Sequence, residues 1–573
     1  MLATFCSAFL CRDPRALPFL PADFRDPQAR CRLTRAAAQR RLHPQLLAAL
    51  SEQNLGLGPS PARQQNLAAL ADPGPAGTAV VVTGQQVGLF LGPLYTVYKA
   101  ATAIAAARTL QAESGVRCVP LFWLQTEDHD YEEIHHCDVP RYAAPPLHLQ
   151  LPESPAALAR VSVAHRRLGP AVTEQLDALA TELGSLPHAA PFLERLRAHY
   201  LPEATLGAAF AGVLAELFAE EGLLFLDPRR AEIAALAAPL YRKSIVEQEA
   251  ITAALLARQA GLHAAGCAEQ IPTRAGTTLV FFHADGVTGP RYRLERCAET
   301  DGAAGAPRWS IPGGPDGPDS PSPGESSGAP RTTAGSGSPA RRVFTQAELL
   351  ALLAQEPLRF SSSALLRPVI QDSLLPTAAY VGGPGEINYF SQLAPLYELF
   401  GVAQPLVMPR ARFRCLEDNT RSWLAKLGLA PAEAETPRAE LLRRLAARTP
   451  QERPAPAALR ERMLADLSLH LAELEALDSA LREPVRRARE SIERTISRLT
   501  DRYAQALLER DHVTTERLDR VQGFLFPDGV PQERFYSLPY FACKYGAAAF
   551  KQKLFAHLGD TEVFSPAVRS VEL

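Results

Sequence analysis

Residues 79–99, AVVVTGQQVGLFLGPLYTVYK, constrain the fold more than any other part of the chain. Residues 79–83 are apolar and β-branched, as in a strand buried on both faces. Gly84, Gly88 and Gly92 free the backbone behind them, Pro93 suits a helix's first position, and residues 94–110 hold neither Gly nor Pro. Strand, glycine turn and helix form the unit from which parallel α/β sheets are built. The turn places backbone N–H groups and a positive helix end at a ligand. A corner that binds nothing has the same pattern.

A second strand is expected over residues 117–124 (RCVPLFWL), giving a βαβ unit with a right-handed crossover. Ligands of such sheets bind beyond the strand C-termini, where the chain reads QTEDHDYEEIHH over residues 125–136. Glu127, Asp128, His129, Asp130, Glu132, Glu133, His135 and His136 crowd this exit. Three readings stand side by side. An acidic pocket would take substrate ammonium groups, with His129 moving a proton. A divalent metal would use the His and carboxylate groups. A polar loop would satisfy itself with internal ion pairs. Gln85 and Gln86 follow the first strand, and their amides suit either a polar ligand or the local backbone. Lys99 fits a solvated helix face better than a site.

Residues from about 140 to 296 read mostly as Ala- and Leu-rich helix, with strand-like runs at 223–226 and 278–283. Asp227-Pro228 reads as a helix cap followed by a first-turn proline. Residues from 298 to about 340 are rich in Gly, Pro and Ser, so disorder is expected there. Thr345 and Glu348 then form a capping-box signature. A second strand–glycine–helix site is expected from residues 378–381, Gly382, Gly383 and Gly385, and a helix over 386–400. A short strand at 406–408 follows and ends at Pro409-Arg410. Glu386 and Asn388 suit a ribose or amino group. Arg410, Arg412 and Arg414 suit phosphate or an ordinary edge-strand face. Beyond residue 455, Leu464, Leu467, Leu471 and Leu474 alternate spacings of three and four. A second helix carries Val485, Ala488, Ile492, Ile496, Leu499 and Tyr503 to about residue 522, so an antiparallel hairpin is expected.

The 573 residues carry a formal net charge of −2, which gives no basis for non-specific binding to nucleic acid or an anionic membrane. No uncharged apolar stretch is long enough to span a bilayer. Nine cysteines are scattered without a CxxC spacing, which fits free thiols in a reducing cytoplasm. The start MLATFCSAFLCRD lacks the basic leader of a signal peptide.

Five motifs carry a resemblance: TGQQVGLFLGPLYTVYKA (83–100), FWLQTEDHDYEEIHH (122–136), LLRPVIQDSLLPT (365–377), VGGPGEINYF (381–390) and LFPDGVPQERFYSLPYFACKYG (525–546). Together they resemble the BshC family, the cysteine ligases of bacillithiol biosynthesis, over nearly the whole chain. The resemblance implies a Rossmann-type parallel-sheet core with helical connecting-peptide insertions, and an antiparallel α-helical coiled-coil domain that mediates a homodimer. It implies a carbon–nitrogen ligase joining the cysteine carboxyl to the amine of glucosaminyl-malate. GPLY (92–95) stands where a synthetase's HIGH-type motif would, without its histidines, and VMPRARFR (407–414) stands for the KMSKS loop without its lysines.

The catalytic candidates are then Glu127, Asp128, His129 and Asp130. The substrate-binding candidates are Gln85, Gln86, Gly88, Tyr95, Gly383, Glu386, Asn388, Arg367 and Arg410, of which Arg367 and Arg410 suit the malate carboxylates. The resemblance also implies ATP or ADP at a second place, set at Lys544, Tyr545 and Gly546. Expected domains are a cap over 1–77, the α/β core over 78–420, the coiled coil over 421–523, and a segment over 524–573 returning to the core. Within the core fall the helical insertion (about 140–296) and the disordered segment (about 298–340). Two other functions remain open: a metal-dependent amide hydrolase centred on His129, His135 and His136, and a coiled-coil scaffold that binds a nucleotide.

Overall fold

Five parallel strands form the central sheet: Thr78–Gln85 (β1), Arg117–Leu124 (β2), Leu224–Leu226 (β3), Thr377–Gly382 (β4) and Leu406–Pro409 (β5). Their order is β5-β4-β1-β2-β3, with every neighbouring pair parallel. The chain therefore runs outward from β1 through β2 to β3, then returns to the other side of β1. The boundary between β1 and β4 is the switch point at which such sheets open a crevice. Val80, Val81 and Val82 are fully buried. Each contributes about 1.5–3 kcal/mol through removal from water, which is why this run forms the middle strand. These coordinates of the protein are a computed structural model, which describes residues 3–141, 144–155, 158–297, 307–311, 341–448, 456–508 and 512–573.

Helix α1, Tyr95–Ser114, packs against β1 and β2. Ala100, Ala101, Ala103, Ala106 and Ala107 are all buried, and their small side chains let other elements close over the helix. Helices Pro27–Ala38 and Ala547–Ala556 pack on it. Pro27–Ala38 and Pro44–Leu55 are separate helices, because Pro44 opens the second with His43 as its cap. The helix expected over 386–400 is split, into Pro384–Phe390 and Ala394–Phe400. Asp227 caps no helix. The next one starts at Ala231, and the Asp227 carboxylate instead accepts bonds from the Thr126 hydroxyl and the Arg229 N–H.

An antiparallel sheet orders its strands Arg342–Thr345, Arg308–Ile311, Arg291–Arg296, Thr277–His283 and Phe360–Ser362. Arg308–Ile311 falls inside the stretch expected to be disordered, so that expectation fails there. The flanking residues 298–306 and 312–340 lie outside the described ones. Thr345 and Glu348 form the expected capping box.

The chain divides into two compact units. The first takes Met1–Val139, His148–Arg412 and Ser537–Val568, and it contains both sheets. The second takes Pro140–Leu147, Phe413–Tyr536 and Arg569–Leu573. Its helices Pro456–Leu477 and Arg482–Leu508 pack on each other across the short Ser479–Leu481 turn. Leu471, Val485 and Ile496 are buried there, while Leu474, Ile492 and Leu499 stay exposed. His512–Leu525 is a further helix, and residues 509–511 lie outside the described ones. Among the described residues, no helix is long and apolar enough to cross a membrane.

Candidate active site

The glycine turn after β1 turns its own donors inward. Gly88 N–H donates to Gln86 O (3.1 Å), Leu89 N–H to Ile134 O (2.8 Å) and Gly92 N–H to Leu89 O (2.8 Å). Leu91 N–H donates to the Tyr200 hydroxyl (3.1 Å). Phe90 and Leu91 take positive φ angles of 48° and 77°, so the turn is strained as well as closed. A Cβ on Gly88 would lie 2.9 Å from Gly92 Cα, so only glycine fits there. The N–H groups expected to meet a ligand at this corner are occupied by the protein.

At the β1–β4 boundary lies a buried charge network. Lys99, 3% exposed, donates from its ammonium to Gly84 O (2.7 Å) and Gln85 Oε1 (2.9 Å) and pairs with Glu386. The solvated helix face expected for Lys99 is therefore wrong. Glu386, on α2 (Pro384–Phe390), also accepts from Gly383 N–H (2.7 Å) and from the Tyr380 hydroxyl. Burial pushes the Lys99 pKa down, with Glu386 opposing. Burial would raise the Glu386 pKa, but Lys99 and the Gly383 N–H outweigh it and hold the carboxyl below its ordinary range. Arg367 donates to Gln371 Oε1 (2.8 Å) and to the hydroxyls of Tyr380 (3.2 Å) and Tyr389 (3.1 Å). Arg410 lies over the Tyr95 ring at 5.3 Å, and Tyr95 accepts from Gln85 Nε2 (3.4 Å). Asn388 stands apart from this group: its Oδ1 accepts from Cys6 N–H (2.7 Å) and its Nδ2 donates to Gln270 Oε1 (2.9 Å).

The loop beyond β2 makes a second, more open cluster. Its backbone is clamped by Val163 N–H to Asp128 O (2.8 Å), Ala164 N–H to Thr126 O (3.0 Å) and Arg291 to Glu127 O. Asp128 accepts from its neighbour's N–H at His129 (2.8 Å) and from Gln86 Nε2 (3.1 Å). His129 Nδ1 lies 3.6 Å from Asp128 Oδ1 and is buried with no hydrogen-bond partner among the described residues. Burial, then the nearby Arg291, push the His129 pKa down to about 4, against the pull of Asp128. Burial would raise Asp128, but Arg291 and His129 outweigh it and keep the carboxyl ionised. Glu127 accepts from Ser362 Oγ (2.7 Å) and faces the Tyr241 hydroxyl at 3.5 Å. Asp130 follows in the same loop, half-buried.

Arg291, Tyr241 and Ser362 were not among the sequence candidates. They arrive from the antiparallel sheet and a helix far along the chain, and their local sequence carries no signal of it. Arg229 was legible in principle, since it lies three residues beyond a strand exit. His135 stacks on Tyr131 (5.1 Å between rings) and its Nδ1 faces Glu132 O at 3.1 Å. Among the described residues, no three His, Cys, Asp or Glu side chains are arranged to hold a metal ion. Lys544 donates to the Tyr540 hydroxyl (2.8 Å) and lies over the Tyr540 and Tyr545 rings. Gly546, at φ +81°, opens the helix Ala547–Ala556 against the His188 ring. An ammonium beside an uncapped helix start is chemically suited to a phosphate.

Comparison with known proteins decides the family. The family model described as "Bacillithiol biosynthesis BshC, N-terminal Rossmann-like domain" matches residues 4–303 and 336–411, and the one described as "Bacillithiol biosynthesis BshC, C-terminal coiled-coil domain" matches 413–560. The chain belongs to the BshC family. Relatives named "Putative cysteine ligase BshC" come from Koribacter versatilis (33% identical, covering 87% of this chain and 85% of the relative) and Salinibacter ruber (31%, covering 95% and 92%). Another, from Geobacillus thermodenitrificans, is 29% identical over 85% of this chain and 83% of its own. The break between the two BshC regions falls where the two compact units divide, between Arg412 and Phe413. The gap in the BshC N-terminal match lies inside the Gly-, Pro- and Ser-rich stretch.

Proposed function

We propose that this BshC-family chain is a ligase that joins the carboxyl of cysteine to the amine of glucosaminyl-malate, forming the amide of bacillithiol. The observation that carries this reading is the BshC match along both regions of the chain, with relatives that share one ligase name. The β2-exit cluster supplies fitting chemistry. Amide formation needs an activated carboxyl and a neutral amine, so a base must take the ammonium proton. His129 is unprotonated at neutral pH and its Nδ1 has no other partner among the described residues. As a proton arrives, the imidazolium gains Asp128 at 3.6 Å as counter-ion. Gln86 and the His129 N–H hold that carboxylate in place meanwhile.

In this reading ATP or ADP binds at Lys544, Tyr545 and Gly546, where the lysine and helix start suit a phosphate. The chain works as a homodimer, for which the exposed Leu469, Leu474, Ile492 and Leu499 of the second unit give an apolar surface. The nine unpaired cysteines suit a reducing cytoplasm. Incubating the purified protein with cysteine, glucosaminyl-malate and ATP, followed by mass spectrometry, checks the reaction. The expected product has the summed mass of the two substrates less one water, and its absence under all nucleotide conditions would overturn the reading. Light scattering of the same sample checks the dimer.

A further inference from the structure

Two guanidiniums, that of Arg291 at the Asp128–His129 loop and that of Arg229 beyond β3, have no carboxylate at ion-pair distance among the described residues. Arg291 is only 5% exposed. Its Nη1 donates to Glu127 O, its plane lies over Phe281 at 4.1 Å, and its Nε is buried without a partner among the described residues. Arg229 lies three residues beyond β3, at the C-terminal edge of the parallel sheet. Among the described residues its guanidinium makes only long contacts, with Val287 O (3.3 Å), Phe360 O (3.5 Å) and His165 Nε2 (3.5 Å), and its buried Nε is likewise without a partner there.

Three acids near these cations make their hydrogen bonds elsewhere, Asp227 with the Thr126 hydroxyl and the Arg229 backbone N–H. Glu127 is taken up by Ser362 and Tyr241, and Asp128 by Gln86 and the His129 N–H. Burial pushes the Arg291 pKa down; Asp128 and Glu127 oppose that shift, and Arg229 adds to it, which puts the two arginines within electrostatic reach of each other. A guanidinium N–H buried without an acceptor is costly, and a bound anion that accepts from both arginines relieves that cost. Buried N–H groups left over on planar guanidiniums suit the two oxygens of a carboxylate.

We propose that Arg291 and Arg229 form the receptor for a substrate carboxylate, placing that substrate beside Asp128 and His129. The identity of the carboxylate rests on the ligase reading, in which the malyl group brings two and cysteine brings one. Arg367, a sequence candidate for the malyl carboxylates, spends its guanidinium on Gln371, Tyr380 and Tyr389, so this pair takes over that role.

Calorimetric titration of the purified full chain with L-malate, and separately with L-serine as an unreactive stand-in for cysteine, tests the site without turnover. The variants are Arg291→Lys, which keeps the charge but loses the fork, and Arg229→Gln, with thermal melting of each as the check on folding. Malate binding weakened at least tenfold in both, with serine unaffected, assigns the malyl carboxylate. The same loss for serine alone assigns the cysteine carboxylate. If Arg291→Lys fails to fold, Arg229→Gln decides by itself. Unchanged affinity for both ligands in the folded variants, or no binding of either by the wild type, overturns the proposal. Malate binding that depends on these arginines, in a protein that forms no amide product, would sink the ligase reading and leave the site standing.

Discussion

Two acid–base clusters share the C-terminal edge of one sheet, and they are built in opposite ways. At the β1–β4 boundary Lys99 is 3% exposed and Glu386 15%, and each charge meets the other as well as backbone or hydroxyl partners. At the β2 exit Asp128 is 35% exposed and His129 28%, their Nδ1–Oδ1 separation is 3.6 Å, and that ring nitrogen has no bonded partner among the described residues. The first cluster is satisfied by the protein itself and ties α1 to β4 and α2. The second leaves the His129 Nδ1 without a bonded partner among the described residues, and the proposed function assigns that capacity to a substrate. The switch point is where fold topology alone would set the chemistry, yet the spare bonding capacity lies one strand over.

The largest effect expected from this contrast is on stability at the closed cluster. Lys99→Met leaves Glu386 buried without its cation and costs about 3–5 kcal/mol in urea denaturation, and adding Glu386→Gln recovers much of the loss. A loss of activity with stability intact would instead mark the closed cluster as the reacting one. At the open cluster the order reverses. Asp128→Asn and His129→Ala each lower product formation at least about 100-fold while leaving the melting temperature near that of the wild type. Asn388 offers a smaller test. Both ends of its amide are used within the protein, so Asn388→Ala costs about 1–3 kcal/mol in denaturation and leaves KM for both substrates unchanged.

The smallest effect is with pH. The folded protein holds His129 neutral down to about pH 4, whereas the unfolded chain takes up a proton near 6.5. Below 6.5 the unfolded state therefore binds the extra proton, and stability falls as the pH drops from 6.5 toward 4. Above 6.5 the group contributes no slope. His283, pushed down to about 3 mainly by burial, acts in the same direction. Melting temperatures measured from pH 8 to 4 should follow that course, with a shallower acid limb in His129→Ala. An unchanged limb would mean that His129 is not held neutral.

Much of the sheet was legible in the sequence, because strands buried on both faces are written as continuous apolar runs. Residues 117–124 match β2 at both ends, and the expected runs at 79–83 and 378–381 lie within β1 and β4. A turn decided one miss: the break after Phe390 divides the helix expected over 386–400. Lys99 was misread because helical periodicity marks a face as polar without saying what covers it. At the site, the Asp128–His129 loop stood out through its charge density. The residues that tune it, Arg291, Tyr241 and Ser362, come from elements more than a hundred positions away and join it only through tertiary packing. Spacing arguments cannot reach across that separation.

The most direct check on the ligase reading is mass spectrometry of small thiols in cells with and without this gene. Disappearance of bacillithiol together with a build-up of glucosaminyl-malate, restored by the wild-type gene but not by Asp128→Asn, is the predicted result. A thiol pool unchanged by the deletion, in cells with no second copy, would contradict it.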